Sequence, residues 1–365
     1  MTILIFIAVL VVLILVHELG HFLAAKYFGI KVDEFGIGFP PKILKMFRWG
    51  ETDFTLNAIP FGGFVKIFGE NPDEESISGE ESQRSFVNKP RWIQAIVLLA
   101  GVFFNFLLAW LLFSVGFMMG APAIDNQFSD KYFEPETVLI IGVMKNSPAD
   151  DSGLVSRDQI VQVAFEDKIL IAPSTTEFTE FIDLYVDQEI KLSVLRDGQI
   201  SDFVVVPTQG IFGDSVGIGI EFRTTGSVTF PFFVAVSEGF IFSVELTKMI
   251  VVAFADFISQ IVQREANMEQ IAGPVGIVSM VGEAADLGIV HLLWFTAIIS
   301  LHLTIINLLP FPALDGGRLL FVAIESMIRR PINPKITNAL NAIGFILLIL
   351  LMILVTINDI GNIIS

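Results

Sequence analysis

The sequence predicts a polytopic α-helical membrane protein with four transmembrane helices, a β-hairpin and an outer α/β module. Three observations carry this. The 365 residues are 53% hydrophobic and only 17% charged, too apolar for a soluble chain of this length. Four apolar runs, about residues 3–26, 92–118, 289–309 and 339–357, reach the length that crosses a bilayer. Between the second and third runs lies a long acidic section rich in alternating and turn-forming segments.

The first run begins at Ile3. Its stretch to Val16 could pass for a signal peptide, but it has no basic start and no small-residue cleavage site, and a charged cluster ends it. It is therefore expected to stay as a span. That cluster is His17-Glu18-Leu19-Gly20-His21. Ionisable side chains inside a span are costly and mark function by default. On a helix the two histidines stand at i and i+4, on one face, where both imidazoles can reach one zinc ion. Glu18 beside them is placed to take a proton from a water molecule at such a metal. The competing reading is a set of capping or interfacial polar residues at a span end.

Basic residues sort the loops. Lys26, Lys31, Lys42, Lys45, Arg48, Lys66, Arg84, Lys89 and Arg91 lie between the first two spans, and Arg318, Arg329, Arg330 and Lys335 between the last two. Both loops are expected to be cytoplasmic. The acidic section, about 121–288, and both termini are then extracytoplasmic. A net charge of −17 disfavours nucleic-acid partners, and the absence of cysteine removes disulfides and thiolate ligands.

In the first loop, Asp53–Asn57 alternates in strand fashion, Pro60 and Gly62-Gly63 turn the chain, and Phe64–Ile67 resumes, giving a hairpin at about 52–68. Residues Gly69–Ser85, acidic and serine-rich, read as a flexible connector. In the outer section, 136–208 reads as a small module. Val138–Met144 and Gln159–Ala164 are strand-like, and Ser174-x-x-Glu177 opens a helix with Phe178, Phe181, Ile182 and Tyr185 on one face. Asp197-Gly198 turns a hairpin between Ile190–Leu195 and Phe203–Val206. Residues 209–288 are a linker carrying the apolar stretch Phe230–Val262. Its Glu238, Glu245, Lys248 and Asp256 make it an outer, surface-lying or clamp-like amphipathic helix.

A hydrolytic zinc usually has three protein ligands and one open position. Asp315, in Asn307-Leu-Leu-Pro310-Phe-Pro312-Ala-Leu-Asp315-Gly316-Gly317-Arg318, is the candidate third ligand. Taken alone it could equally be a solvated residue in a turn that ends the third span. Parity decides. With four spans, Asp315 and the histidines lie at the same membrane face, whereas a fifth span would part them by ~30 Å.

Together these landmarks resemble the bacterial site-2 proteases, zinc metalloproteases that cut within transmembrane segments. They include His17–His21, the glycine-rich Phe35-Gly36-Ile37-Gly38-Phe39 and Ala58–Lys66. They continue with Arg84–Pro90, Gly273-Pro274-Val275-Gly276-Ile277 and Asn307–Arg318. The resemblance covers nearly the whole chain. It implies that His17, His21 and Asp315 bind Zn²⁺, that Glu18 is the catalytic base and that Asn307 serves the substrate site. It also implies that the hairpin is membrane-reentrant and offers an edge, around Gly62, Gly63 and Phe64, to an unwound substrate.

The Ser147-Pro148-Ala149…Gly153-Leu154 string makes the outer module similar to a circularly permuted PDZ domain, with Arg157-Asp158 where Gly-Asp is usual. Such a module either captures carboxy-terminal peptides or acts as a steric gate. In the second span, Gly101-Val102-Phe103-Phe104-Asn105 lacks the family's proline. His302 stands where the family more often has Asn and reads as a packing or hydrogen-bonded histidine. His291 lies too far from Asp315 to be a ligand.

The organisation expected is a protease core in two halves, 1–118 and 289–365, enclosing the PDZ-like domain at 136–208 and the linker with its helix at 209–288. The function implied is zinc-dependent endoproteolysis inside the bacterial plasma membrane, with the active site toward the cytoplasm. Substrates would be single-pass segments, such as an anti-sigma factor or remnant signal peptides, trimmed first by a site-1-type protease. A metal transporter and a catalytically idle PDZ adaptor are the alternatives.

Overall fold

The computed structural model describes residues 1–71, 74–124, 132–196, 198–212, 215–263 and 273–364. In chain order the elements are α1 (Thr2–Tyr27), β1 (Val32–Trp49), β2 (Thr52–Ile67), α2 (Glu74–Ser78) and α3 (Arg91–Met119). The middle section holds β3 (Ala121–Ile124), β4 (Phe133–Val143), α4 (Pro148–Ser152), β5 (Gln159–Phe165), β6 (Lys168–Ile171) and α5 (Thr175–Leu184). It continues with β7 (Ile190–Arg196), β8 (Gln199–Val205), β9 (Thr208–Phe212), β10 (Ser215–Gly217) and β11 (Ile220–Val228). The chain ends with α6 (Phe232–Gln263), α7 (Pro274–Asp286), α8 (Ile289–Leu308), α9 (Asp315–Ile328) and α10 (Pro334–Ile364). Two compact units result, one of residues 1–116 with 233–365 and one of residues 117–232.

Among the described residues of the first unit, four helices are long and apolar enough to cross a membrane: α1, α3, α8 and the stretch Pro334–Asp359 of α10. These are the four runs expected. Small residues let α1 and α3 cross closely, as in membrane helix pairs generally. A Cβ on Gly20 would lie 2.7 Å from the Ala100 carbonyl carbon and 3.0 Å from the Gly101 Cα. The Ser300 hydroxyl of α8 donates to the Asn105 carbonyl of α3 at 2.8 Å. At the start of α7, the Asp359 carboxylate of α10 accepts the Gly273 and Gly276 N–H groups, both at 2.9 Å, capping two donors the helix cannot satisfy itself. α6 braces against α3, where the Trp110 indole donates to the Val236 carbonyl at 2.8 Å and Phe240 rests on Trp110 with centroids 5.2 Å apart.

The hairpin expected at about 52–68 does not form from its own two arms: both belong to β2, and they flank β1 instead of pairing with each other. Val32–Ile37 of β1 pairs with Gly63–Ile67 on one side and with Asp53–Leu56 on the other, and Lys42–Trp49 pairs back onto Thr52–Asn57. Four segments of two bent strands therefore lie side by side. β1 escaped notice because Gly36, Gly38, Pro40 and Pro41 are strand breakers by composition, tolerated here at bends and register shifts.

The connector after it is also ordered where described. Asn88 donates to the Ser76, Ile77 and Ser82 carbonyls at 3.2, 3.0 and 2.8 Å. Arg84 pairs with Glu51, Lys31 with Glu81, and Lys26 with Glu51 at 3.0 Å. Buried Phe86 joins Phe22, Phe35 and Val97 in one apolar cluster.

The second unit has a main sheet, ordered β3-β11-β4-β5-β7-β8 with β6 paired to β5, and a separate antiparallel pair of β9 and β10. Its core gathers Val138, Ile140, Ile160, Phe178, Phe181, Ile182, Ile190 and Leu192. α5 opens with the capping box anticipated, Ser174 accepting from the Glu177 N–H and Glu177 from that of Ser174. The β7–β8 hairpin is present from Ile190 to Val205, while Asp197 of its turn lies outside the described residues.

Candidate metal centre

α1 delivers the first two groups. One helical turn separates His17 from His21, their ring centroids are 4.7 Å apart and nearly perpendicular, and the two Nε2 atoms lie 3.1 Å from each other. The third group arrives from the far end of the chain. Asp315 is the first residue of α9, and its Oδ2 lies 3.0 Å from His17 Nε2 and 3.3 Å from His21 Nε2. Residues His17, His21 and Asp315 are the one such cluster among the described residues, with all ligand atoms within 4.8 Å of one another.

The segment before Asp315 explains how a short turn aims the carboxylate. Ala313 adopts φ +76°, and its N–H donates to Asn341 Oδ1 of α10 at 3.2 Å. Gly316 and Gly317 then press against the end of α8 and the turn after it. A Cβ on Gly316 would lie 2.5 Å from the Leu308 carbonyl carbon, and one on Gly317 would lie 2.7 Å from that of Phe311. Only glycine allows α9 to start there.

α3 forms the other wall. His21 Nδ1 donates to the Val97 carbonyl at 2.8 Å, leaving Nε2 free as a ligand. Gly101 faces both imidazoles, and Asn105, fully buried, sits 3.3 Å from His17 Nδ1. These α3 contacts were not legible in the sequence, because a hydropathy pattern does not say which face of one span meets which face of another. The sequence singled out Gly101 and Asn105, one helical turn apart, only as part of a second-span motif without its proline.

A cavity of about 290 Å³ opens beside the cluster, lined by His17, Glu18, Gly62, Gly63, Asn307 and Asp315 among others. The edge segment Gly63–Ile67 runs along α1. A Cβ on Gly63 would be 3.7 Å from Glu18 Cγ, and the Val65 main chain faces the Glu18 carboxylate. Of the sequence candidates, the structure thus gathers Glu18, His17, His21, Asp315, Asn307, Gly62 and Gly63. It leaves out Phe64, whose ring packs against Gly36. His302 is exposed and bonds the Ile298 carbonyl of its own helix at 2.9 Å, and His291 lines a separate cleft with Glu283 and Trp294.

Three residues after Asp315, Arg318 is half-buried and ion-paired with Glu70, just beyond β2. Burial pushes its guanidinium down from the usual value, with the Glu18 charge opposing. At the other end of α9, Glu325 pairs with Arg91 at 2.7 Å. The ligand-bearing helix is thereby held at both ends.

The donor set suits zinc: two imidazole nitrogens and one carboxylate, with a fourth side open to the cavity. Asp315 Oδ2 is buried and makes no hydrogen bond of good geometry despite its two close nitrogen neighbours. Three lone-pair atoms aimed at a common point are what a bound cation requires.

A membrane-embedded His-Glu-x-x-His helix completed by a distant aspartate defines a metallopeptidase of the membrane. The chain belongs to peptidase family M50, the site-2 protease family, whose model matches residues 5–351. It is 36% identical to a provisionally named zinc metalloprotease of Clostridium perfringens, over 95% of each chain. It is 31% identical to another so named from Fusobacterium nucleatum, over 99% of this chain and 98% of that one. The zinc metalloprotease RasP of Oceanobacillus iheyensis is 29% identical over 98% of each. The protein is a membrane zinc metalloendopeptidase.

Proposed function

We propose that the protein is an intramembrane endopeptidase in which His17, His21 and Asp315 hold the zinc and Glu18 is the general base. The observation that carries this is the convergence of the three ligand atoms at the wall of a cavity that also contains Glu18. Zinc there supplies Lewis-acid polarisation and makes water a stronger acid. Glu18 takes the proton from the attacking water and returns it to the leaving amine. Asn307, on the same wall, donates to the peptide and orients it.

A helical substrate has every backbone group internally paired and must unwind before cleavage. The Gly63–Ile67 edge beside Glu18 supports strand addition as the way an unwound segment is held. Gly63 brings the backbone of that edge close to the base, a Cβ there lying 3.7 Å from Glu18 Cγ. The loop-charge asymmetry supports an orientation with this site toward the cytoplasm and the second unit outside, in the bacterial plasma membrane. The second unit's two-helix, sheet-based build, with α4 opening at Ser147-Pro148, supports a PDZ-like module acting as a peptide holder or steric gate. Substrates on this reading are single-pass segments, an anti-sigma factor or remnant signal peptides, already shortened outside by a site-1-type protease.

The test is Glu18→Gln in the purified protein with a model transmembrane peptide. Zinc content should match wild type while cleavage falls by about 10³-fold or more. A chelator should abolish wild-type cleavage and added zinc restore it. Retained cleavage by the variant would remove Glu18 from the mechanism.

A further inference from the structure

The His17 ring has a second partner that fixes which of its nitrogens can bind metal. Asn105 comes from the neighbouring span, α3; it is fully buried, and its Nδ2 lies 3.3 Å from His17 Nδ1. The other half of that amide, Oδ1, is buried with no hydrogen-bond partner. The arrangement is chemically incomplete. With Nε2 committed to Asp315's side of the ring, a neutral imidazole carries its proton on Nδ1, and Nδ1–H is a donor. It then needs an acceptor, not the amide N–H₂. A half-turn of the amide about its last torsion exchanges the two atoms, and it satisfies both Nδ1–H and the orphaned oxygen with one bond.

We propose that Asn105 is the positioning residue for His17, its side-chain oxygen accepting the Nδ1 proton and so holding Nε2 toward the metal. This rests on the ligand set given above. The backbone around Asn105 is built to keep it there. Its carbonyl accepts the Ser300 hydroxyl of α8 at 2.8 Å, a main-chain bond that does not depend on the side chain. One turn earlier, Gly101 leaves room for both imidazoles. His21 receives the equivalent service from a different kind of group, the Val97 carbonyl at 2.8 Å. One span therefore supplies an acceptor to each histidine, one from its backbone and one from a side chain. The half-turn places the amide N–H₂ where Oδ1 was buried, and Asn105 lines the same cavity as Glu18 and Asn307.

The experiment compares Asn105→Leu and Asn105→Asp in the full-length protein in detergent. Zinc affinity is measured by competition with a chromophoric chelator, before any activity assay. Leucine keeps the volume and removes the acceptor, so the zinc Kd should rise about 10- to 100-fold. Aspartate keeps an oxygen acceptor for Nδ1–H, so the Kd should stay within about threefold of wild type. A fold defect would lower thermal stability in both variants, whereas the proposal requires them to part. Wild-type zinc affinity in Asn105→Leu, or equal weakening in both variants, would overturn it. His17→Ala is the control for the underlying reading. If it leaves zinc binding intact, the ligand assignment itself fails. If it abolishes binding while Asn105→Leu does not weaken it, only the role of Asn105 is lost.

Discussion

Gly101 of α3 lies so close to His21 of α1 that a Cβ there would sit 2.7 Å from the ring's Cε1, and 2.8 Å from that of His17. The metal cluster therefore depends on an absent side chain. Gly101→Ala should push α3 off both imidazoles or rotate them away from Asp315. We expect the protein to insert and purify but to bind zinc about 10- to 100-fold more weakly, as seen when ligand orientation is disturbed. Chelator competition measures it, and unchanged affinity would show that the two spans can separate without disturbing the site.

Ala313 stores strain two residues before Asp315. Its φ of +76° is the left-handed region, which costs a non-glycine residue roughly 1–2 kcal/mol. Glycine avoids this cost but is more flexible when unfolded, which offsets about 0.4–1 kcal/mol of the gain. Ala313→Gly should therefore stabilise the protein modestly, by about 0.5–1 kcal/mol, in thermal unfolding in detergent. Asn341→Ala, which removes the acceptor for the Ala313 N–H, should do the opposite and loosen the Asp315 turn.

The second unit offers a parallel case. Arg157 stands at φ +79°, exposed, a left-handed conformation that costs a non-glycine residue roughly 1–2 kcal/mol. Next to it, Asp158 has a fully buried side chain that accepts from Arg196 Nε and Nη2, each at 2.7 Å, and from the Val155 N–H at 2.9 Å. Arg157→Gly should raise the unit's stability by about 0.5–1 kcal/mol. Arg196→Met, which leaves that carboxylate buried and unpaired, should lower it by about 3–5 kcal/mol. Hydrogen exchange of β5 and β7 amides in the intact protein reads both.

Those contrasts show what a single sequence can disclose. His17 and His21 were legible because helical periodicity stacks them, with Glu18 next in the chain, and Asp315 because counting spans predicts it at the same membrane face. The capping box at Ser174 was legible because it is closed within four residues. Gly101, Asn105 and Val97 were not, since their meaning lies in which helix faces meet. β1 was hidden by its own glycines and prolines. The connector's order was hidden because it comes from pairing across long gaps, Lys31 with Glu81 and Arg84 with Glu51, rather than from any local preference.

That last pairing gives the protein an acid-sensitive joint. Glu51, between β1 and β2, is held down from an ordinary 4.5 to about 2, chiefly by the hydrogen bond from Arg84, with Lys26 adding to it. A carboxylate depressed on folding contributes stability above its unfolded value and loses it as the pH falls through its folded one. The contribution of Glu51 should thus be complete above pH 4.5 and disappear between about 4.5 and 2. Partial exposure of the three side chains limits its size through solvent screening. Glu51→Gln lacks that titration. The gap in thermal stability between wild type and Glu51→Gln should be constant from pH 7 to about 5 and narrow below that. Measured in low salt, a gap that instead widened on acidification would show that Glu51 is not the anchor of Arg84 and that the connector is held by its Asn88 and Phe86 contacts alone.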